Sequence, residues 1–429
     1  MMKNLSAGMG NGESTGRADA KMDRVDPIGH MDSDRAKKLP RRDWLLLPLL
    51  SLATICLLGA ATELPARLIF RSGSVQAPGC VALDVTTHIE KAIPNTACFE
   101  KIPEASSAAE YRFNRCGHRA GMECGAKPQG VYRIVLIGSS VAVGRYIPRE
   151  MTFAALLPEG LSRQTGRKVE LYNEAFVWGV PLNPLLHFDE VLAEQPDLIL
   201  WVVSPLDIET ITWDRRVYAS PETQGARWWT GLPFRAWRVV NAAFAKGSIA
   251  GAVREHFDRT RTALLVRHFL FESQSRYVKS FLMGGGGTEF LRARPDAEWR
   301  GDLMHFDSLA AGMQRQAVAA GVPFVAVLVP NRAQAAMISM GEWPRGDDPY
   351  TVGDQLRDIV TSHGGTYIDI LPYFRNIPNP ERYYFPVDGH PDANGQALIA
   401  NLLAKELTGG AVPALKAAPQ PQISSTQRR

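Results

Sequence analysis

Residues 132–146 read YRIVLIGSSVAVGRY. A β-branched apolar run ends at Gly138 and gives way to two serines and, at Gly144, a second glycine. A strand that runs into a small-residue turn ahead of a helix-forming segment is the opening unit of a parallel α/β sheet. The chain repeats that alternation in TFAALLPEGLSRQTG (152–166), KVELYNEA (168–175), PLLHFDEVLAEQ (184–195) and PDLILWVVSP (196–205). It resumes in DSLAAGMQRQAVAAG (307–321), VPFVAVLVP (322–330), VGDQLRDIVTSHG (352–364), GTYIDIL (365–371) and NGQALIANLLAKEL (394–407). The near-continuous hydrophobicity of the strand runs is what strands covered on both faces require. The pattern predicts an α/β domain over 130–410, a mostly parallel sheet flanked by helices, with an insertion at about 210–302. Within the insertion, RWWTGLPFRAWRVV (227–240) and the helical periodicity of 264–282 suggest a small helical subdomain, with a lid, a substrate groove or a membrane contact as the functional alternatives. GGGG (284–287) lacks the Lys-Ser/Thr of a phosphate loop and reads as a connection.

Upstream, WLLLPLLSLATICLLGAAT (44–62) is uncharged and as long as a bilayer-spanning helix needs to be. It follows KKLPRR (37–42) and precedes the thinly charged ELPARLIF (63–70). The positive-inside rule therefore predicts a cytoplasmic tail (1–43), a single-pass anchor in the inner (cytoplasmic) membrane (44–62), and a periplasmic or otherwise extracytoplasmic remainder. A cleaved signal peptide and a buried core helix compete with this reading, although residues 1–43 make a long n-region. Of five cysteines, Cys56 falls in the span, while Cys80, Cys98, Cys116 and Cys124 lie in 63–129, read as an extracytoplasmic linker. Disulfides fit that compartment. Pairing Cys80 with Cys98 and Cys116 with Cys124 is the local choice among the possible connectivities, with buried free thiols as the alternative. Residues 1–43 and 411–429 are polar and aperiodic and read as tails. A net charge of +4, scattered basic residues and the lack of zinc-finger or RNA-binding signatures argue against a nucleic-acid partner.

The turn at Gly138 admits several chemistries. A dinucleotide loop needs closer glycines than Gly138 and Gly144, and an α/β-hydrolase elbow needs glycine where GSSVA supplies Ala142. A nucleophilic serine needs a base and the base an orienting acceptor. FPVDGHPDANGQALIA (385–400) supplies both, Asp388 and His390, just before a predicted helix. The plainer readings are that Ser139 and Ser140 cap the next helix, that Asp388 or Asp392 caps the later one, that Asp207 is a turn residue, and that His390 is an ordinary loop histidine. His187, His256, His268, His305 and His363 show no metal-ligand spacing, so no metal or cofactor is expected.

At these residues the sequence resembles the SGNH hydrolases, the GDSL-type esterases and lipases. Their first block, Gly-Asp-Ser after a strand, is similar to IGSS, with Ser139 in the Asp position and Ser140 as nucleophile. YNEAFVWG (172–179) resembles the second block through Asn173 and Gly179. PDLILWVVSPLD (196–207) resembles the third, with Ser204 for Gly, Leu206 for the oxyanion-hole Asn, and Asp207 retained. DGHPDANG (388–395) resembles the last, Asp-x-x-His-Pro, shortened by one residue. The resemblance implies a three-layer α/β/α domain in which Ser140 attacks an ester carbonyl, His390 serves as base and then acid, and Asp388 orients it. The oxyanion would be held by the amides of Ser140 and Gly179. Leu206 cannot donate, so Asn173 or Asn183 takes that part or catalysis is weak. Two functions stay open: a membrane-anchored extracytoplasmic esterase or O-acyltransferase acting on an ester-bearing substrate, acetylated polysaccharide first, or a catalytically degenerate glycan-binding or assembly protein. A lipid esterase or thioesterase is a third.

Overall fold

The computed structural model describes residues 43–70, 75–76, 79–83, 90–175, 182–211, 260–283 and 287–416. The chain forms two units, 1–58 and 59–429. Described residues of the first are helical and belong to α1 (Asp43–Ile69), whose stretch Leu46–Ile69 is long and apolar enough to cross a membrane. The helix continues past Thr62, the end read from the sequence, and the charges that follow the apolar run, Glu63 and Arg67, pair one turn apart at 2.9 Å.

Described residues of the 63–129 segment include short strands. Its strands β1 (Val75–Gln76), β2 (Val81–Leu83), β3 (Glu90–Ala92), β4 (Ala97–Lys101) and β5 (Ala109–Arg112) form two small antiparallel sheets, β1-β4-β5 and β2-β3. Disulfides join Cys80 to Cys98 and Cys116 to Cys124, the local pairing. Strands this short bury little apolar surface, and cross-links supply stability that a small core lacks.

The main sheet comprises β6 (Val131–Gly138), β7 (Lys168–Asn173), β8 (Leu198–Val203), β9 (Phe324–Leu328) and β10 (Thr366–Ile368) in the order β10-β9-β8-β6-β7, every pair parallel. Its helices among the described residues are α2 (Ser140–Val143), α3 (Phe153–Thr165), α4 (Leu182–Leu186), α5 (Phe188–Ala193), α6 (Arg261–Leu270), α7 (Gln274–Met283), α8 (Ala297–Ala319), α9 (Arg332–Met340), α10 (Thr351–Ser362) and α11 (Ala393–Glu406). α3 packs on α11 and β7, while α8 packs on α10, α4 and α5, giving three α/β/α layers. The core lies between them, as where Trp201 of β8 stacks on Phe306 of α8 at 4.7 Å. Arg133, a charge within β6, is buried opposite Glu170 of β7 and pairs with it at 2.7 Å.

Three details differ from the sequence reading. The helix expected over 184–195 is interrupted at His187, which lies between α4 and α5. Asp296 caps α8 through the Trp299 amide, so that helix starts inside the stretch assigned to the insertion. α9 was not anticipated, because its buried face includes Arg332 and Gln334. The 264–282 stretch is helical, as α6 and α7, whereas 227–240 and 284–286 lie outside the described residues.

β6 is the strand at which the connection order reverses, β7 lying on one side and β8 on the other. The carboxyl edge at such a reversal is where open α/β sheets bind ligands. Gly138 ends β6 there with φ +153°, and a Cβ on it would stand 2.4 Å from the Val202 carbonyl oxygen and 2.7 Å from Ala142 Cβ. Gly138→Ala is expected to lower the unfolding free energy by about 2–4 kcal/mol. Chemical denaturation checks it; an unchanged midpoint and slope contradict this packing.

Candidate active site

Ser140 opens α2 directly beyond the carboxyl end of β6. Ser139 sits at the N-cap position, but its side chain makes no capping bond, and the Ser140 hydroxyl turns to His390 instead. Ser140 Oγ lies 2.9 Å from His390 Nε2, and His390 Nδ1 lies 2.5 Å from Asp388 Oδ1. With the ring proton on Nδ1, His390 donates to Asp388 and its Nε2 accepts from the serine hydroxyl. A base whose second nitrogen is held by a carboxylate is the arrangement that activates a serine.

Asp388 and His390 are separated by a single residue, and Gly389 makes that spacing workable. Its φ of +87° is left-handed, so the chain reverses and brings both side chains to one side. The Gly389 amide donates to the Phe385 carbonyl, the Phe385 amide to the His390 carbonyl, and the His390 amide to Asp388 Oδ1. Asp392 is the cap of α11, accepting from the Gly395 amide at 2.9 Å. Of the two aspartates in this block, one caps and the other faces the imidazole.

Three residues that the sequence reading did not single out surround the imidazole arm. Tyr146 meets the His390 ring edge-on, with centroids 5.7 Å apart, and Arg145 lies over the Tyr146 ring. Arg145 is held by Glu100 of β4 at 2.8 Å. Burial works against ionisation of Asp388, but the His390 charge and hydrogen bond, with Arg145, outweigh it and hold the carboxyl below its ordinary range. Arg145 and Tyr146 close the stretch that ends β6 and turns through Gly144; their position after that turn was the available signal.

The proposed oxyanion donors are placed differently. The Ser140 amide lies in the first turn of α2, where amides have no intrahelical acceptor. Gly179 lies outside the described residues. Asn173 is buried at the end of β7, where its Nδ2 donates to the Ala142 carbonyl and its Oδ1 accepts from the Ala175 amide, bonds that tie α2 to the segment after β7. Asn183 falls in α4. Leu206 is 44% exposed. Asp207 is buried and accepts from the Ser204 amide at 2.6 Å. Burial raises it to about 6, against the Ser139 hydroxyl and the Ser204 amide, which favour its charged form.

A cavity of about 290 Å³ lies beside Ile137 and Gly138, walled by His118, Glu174, Glu190 and Glu194, and it does not include the Ser140, His390 or Asp388 side chains. Burial, with Glu194 and Glu190 nearby, raises Glu174 to about 8, and burial lowers His118 to about 4, so both are uncharged near neutral pH. Cys116, Cys124 and Glu194 bring donor atoms within 4.8 Å of one another, but both sulfurs are committed to a disulfide.

No family model and no curated protein matches the sequence. Among solved structures, the chain is similar to TesA, with 10% identity, 65% of this chain and 98% of that one covered, and a TM-score of 0.35. It is similar to a mutant of Axe2, an acetyl-xylooligosaccharide esterase from Geobacillus Stearmophilus, with 10% identity, 67% and 96% coverage and a TM-score of 0.36. A lipase/acylhydrolase from Enterococcus faecalis matches at 12% identity, 65% and 96% coverage and a TM-score of 0.32. At these identities and scores, a functional reading of this chain rests on the residues of the site.

The native state retains a proton on Asp207 up to about 6, which the unfolded chain releases near the ordinary 3.8. This group therefore favours folding fully below about pH 4, and that contribution is lost as pH rises through about 6. Asp207→Asn cannot ionise. Its stability relative to the wild type is expected to improve by about 2–3 kcal/mol between pH 4 and pH 7. Denaturation at both pH values checks this; a pH-independent difference contradicts it.

Proposed function

We propose that the chain is a membrane-anchored serine esterase or O-acyltransferase of the SGNH type, acting outside the cytoplasm. The observation that carries the reading is the unbroken series Ser140 Oγ, His390, Asp388, at 2.9 and 2.5 Å. His390 takes the Ser140 proton as Oγ attacks the ester carbonyl, and Asp388 stabilises the imidazolium so formed. The imidazolium then protonates the leaving alkoxide, which leaves an acyl-serine. Water or an acceptor hydroxyl, deprotonated by His390, resolves that intermediate to a free acid or a new ester. The amides of Ser140 and Gly179 are the proposed holders of the oxyanion.

The anchor and the compartment are supported together by the apolar stretch Leu46–Ile69 and by two disulfides beyond it. An O-acetylated carbohydrate, the ester class in the name of Axe2, is the first substrate to test. Two observations favour the second reading, a glycan-binding protein without turnover: Leu206 stands exposed in the place of a donor, and the side chain of Asn173 bonds to backbone groups of α2 and of the segment after β7.

With p-nitrophenyl acetate and the full chain in detergent, Ser140→Ala and His390→Ala are each expected to lower kcat by about 10³-fold or more, with folding intact by circular dichroism. Asp388→Asn is expected to fall by about 10²–10⁴-fold. Folded Ser140→Ala protein that kept wild-type turnover would remove this proposal.

A further inference from the structure

We infer that Glu104, which belongs to the disulfide-stapled N-terminal segment rather than to the α/β sheet, is a positioning residue that fixes the Asp388–His390 arm against Ser140. The inference rests on the proposed Ser140 site. Glu104 Oε1 accepts from the Val387 amide at 2.8 Å, and Oε2 accepts from the Asp388 amide at 2.9 Å. One carboxylate thus holds two successive amides. Bonds of this charge-assisted kind are the stronger ones, and two from a planar group fix orientation as well as distance.

The placement is electrostatically unfavourable for a merely structural link. The Glu104 side chain is 3% exposed. Burial raises its carboxyl above the ordinary range, the two amides oppose that rise, and the charge of Asp388 adds to it. His268 of α6 lies nearby, with its Nδ1 3.8 Å from Oε1 and its ring packed on Phe70. A buried carboxylate beside a second one costs stability. What it does there is immobilise the two residues that carry the acid of the triad, and reacting groups have to be held to within about 0.5 Å.

The same segment reaches the arm a second time. Glu100, one residue from the end of β4, holds Arg145, which lies over the ring that abuts His390. Glu104 therefore secures the backbone of the arm and Glu100 secures its aromatic wall. Cys98, in the same strand as Glu100, is tied to Cys80.

The test uses the full chain in detergent, wild type, Glu104→Ala and Glu104→Gln, with p-nitrophenyl acetate kinetics and the rate at which a fluorophosphonate labels Ser140. Glu104→Ala is expected to lower kcat by about 10–100-fold with KM within about twofold, and labelling should slow in step. Glu104→Gln retains one accepting oxygen and is expected to recover part of both rates. If Glu104→Ala does not fold, a fall of about 3–10-fold in kcat for folded Glu104→Gln serves in its place. Unchanged kcat and labelling in folded variants, even with a lower melting temperature, would overturn the inference and leave Glu104 a stabilising residue. A wild type that neither hydrolyses nor labels removes the Ser140 reading and this inference with it; a reactive wild type with equally reactive variants removes this inference alone.

Discussion

The imidazole of His390 joins two parts of the chain 250 residues apart, and the geometry of the site depends on that bond. Ser140 is placed by the carboxyl end of β6, where Gly138 lets the backbone lie against the Val202 carbonyl of β8. His390 is placed by a left-handed turn at Gly389 just ahead of α11. α11 in turn packs on α3, and Gln396 of α11 accepts from the Phe153 amide at the start of α3. The serine and the histidine are therefore held by neighbouring elements, which fixes their 2.9 Å separation without a contact through solvent.

A site of this kind needs support from outside the sheet, because the acid arm is a loop. Here the support comes from the segment between the apolar helix and β6, where the Cys80–Cys98 disulfide ties β4 of one small sheet to the residue that precedes β2 of the other. Short strands with charged residues cannot form a core alone. Cross-linked, β4 and the turn that follows it present Glu100 and Glu104 to Arg145 and to the amides of Val387 and Asp388. Stability and preorganisation thus draw on the same cross-linked segment, which is reason to keep residues 79–112 in any fragment of the α/β domain.

Much of the sheet was legible because parallel strands are buried on both faces, so IVLIG, LILWVV and FVAVL announce themselves by hydrophobicity alone. The serine and the Asp-Gly-His segment were legible from residue type and from their places after a strand and before a helix. What escaped has a physical reason in each case. α9 buries Arg332 and Gln334, so its apolar period is broken by polar side chains whose partners are distant carbonyls. The strands before β6 carry two to five residues and are specified by pairing and cross-links more than by pattern. Glu104 bonds to backbone amides 283 and 284 residues away, and an amide leaves no mark in a sequence.

The proposed chemistry requires that Ser140 be an activated nucleophile whose reactivity depends on His390. It is tested most directly by treating the folded full chain with a fluorophosphonate and mapping the adduct by peptide mass spectrometry. A single adduct on Ser140, absent from His390→Ala, is the expected result. An unmodified Ser140 in folded wild-type protein, or equal labelling in His390→Ala, would contradict it.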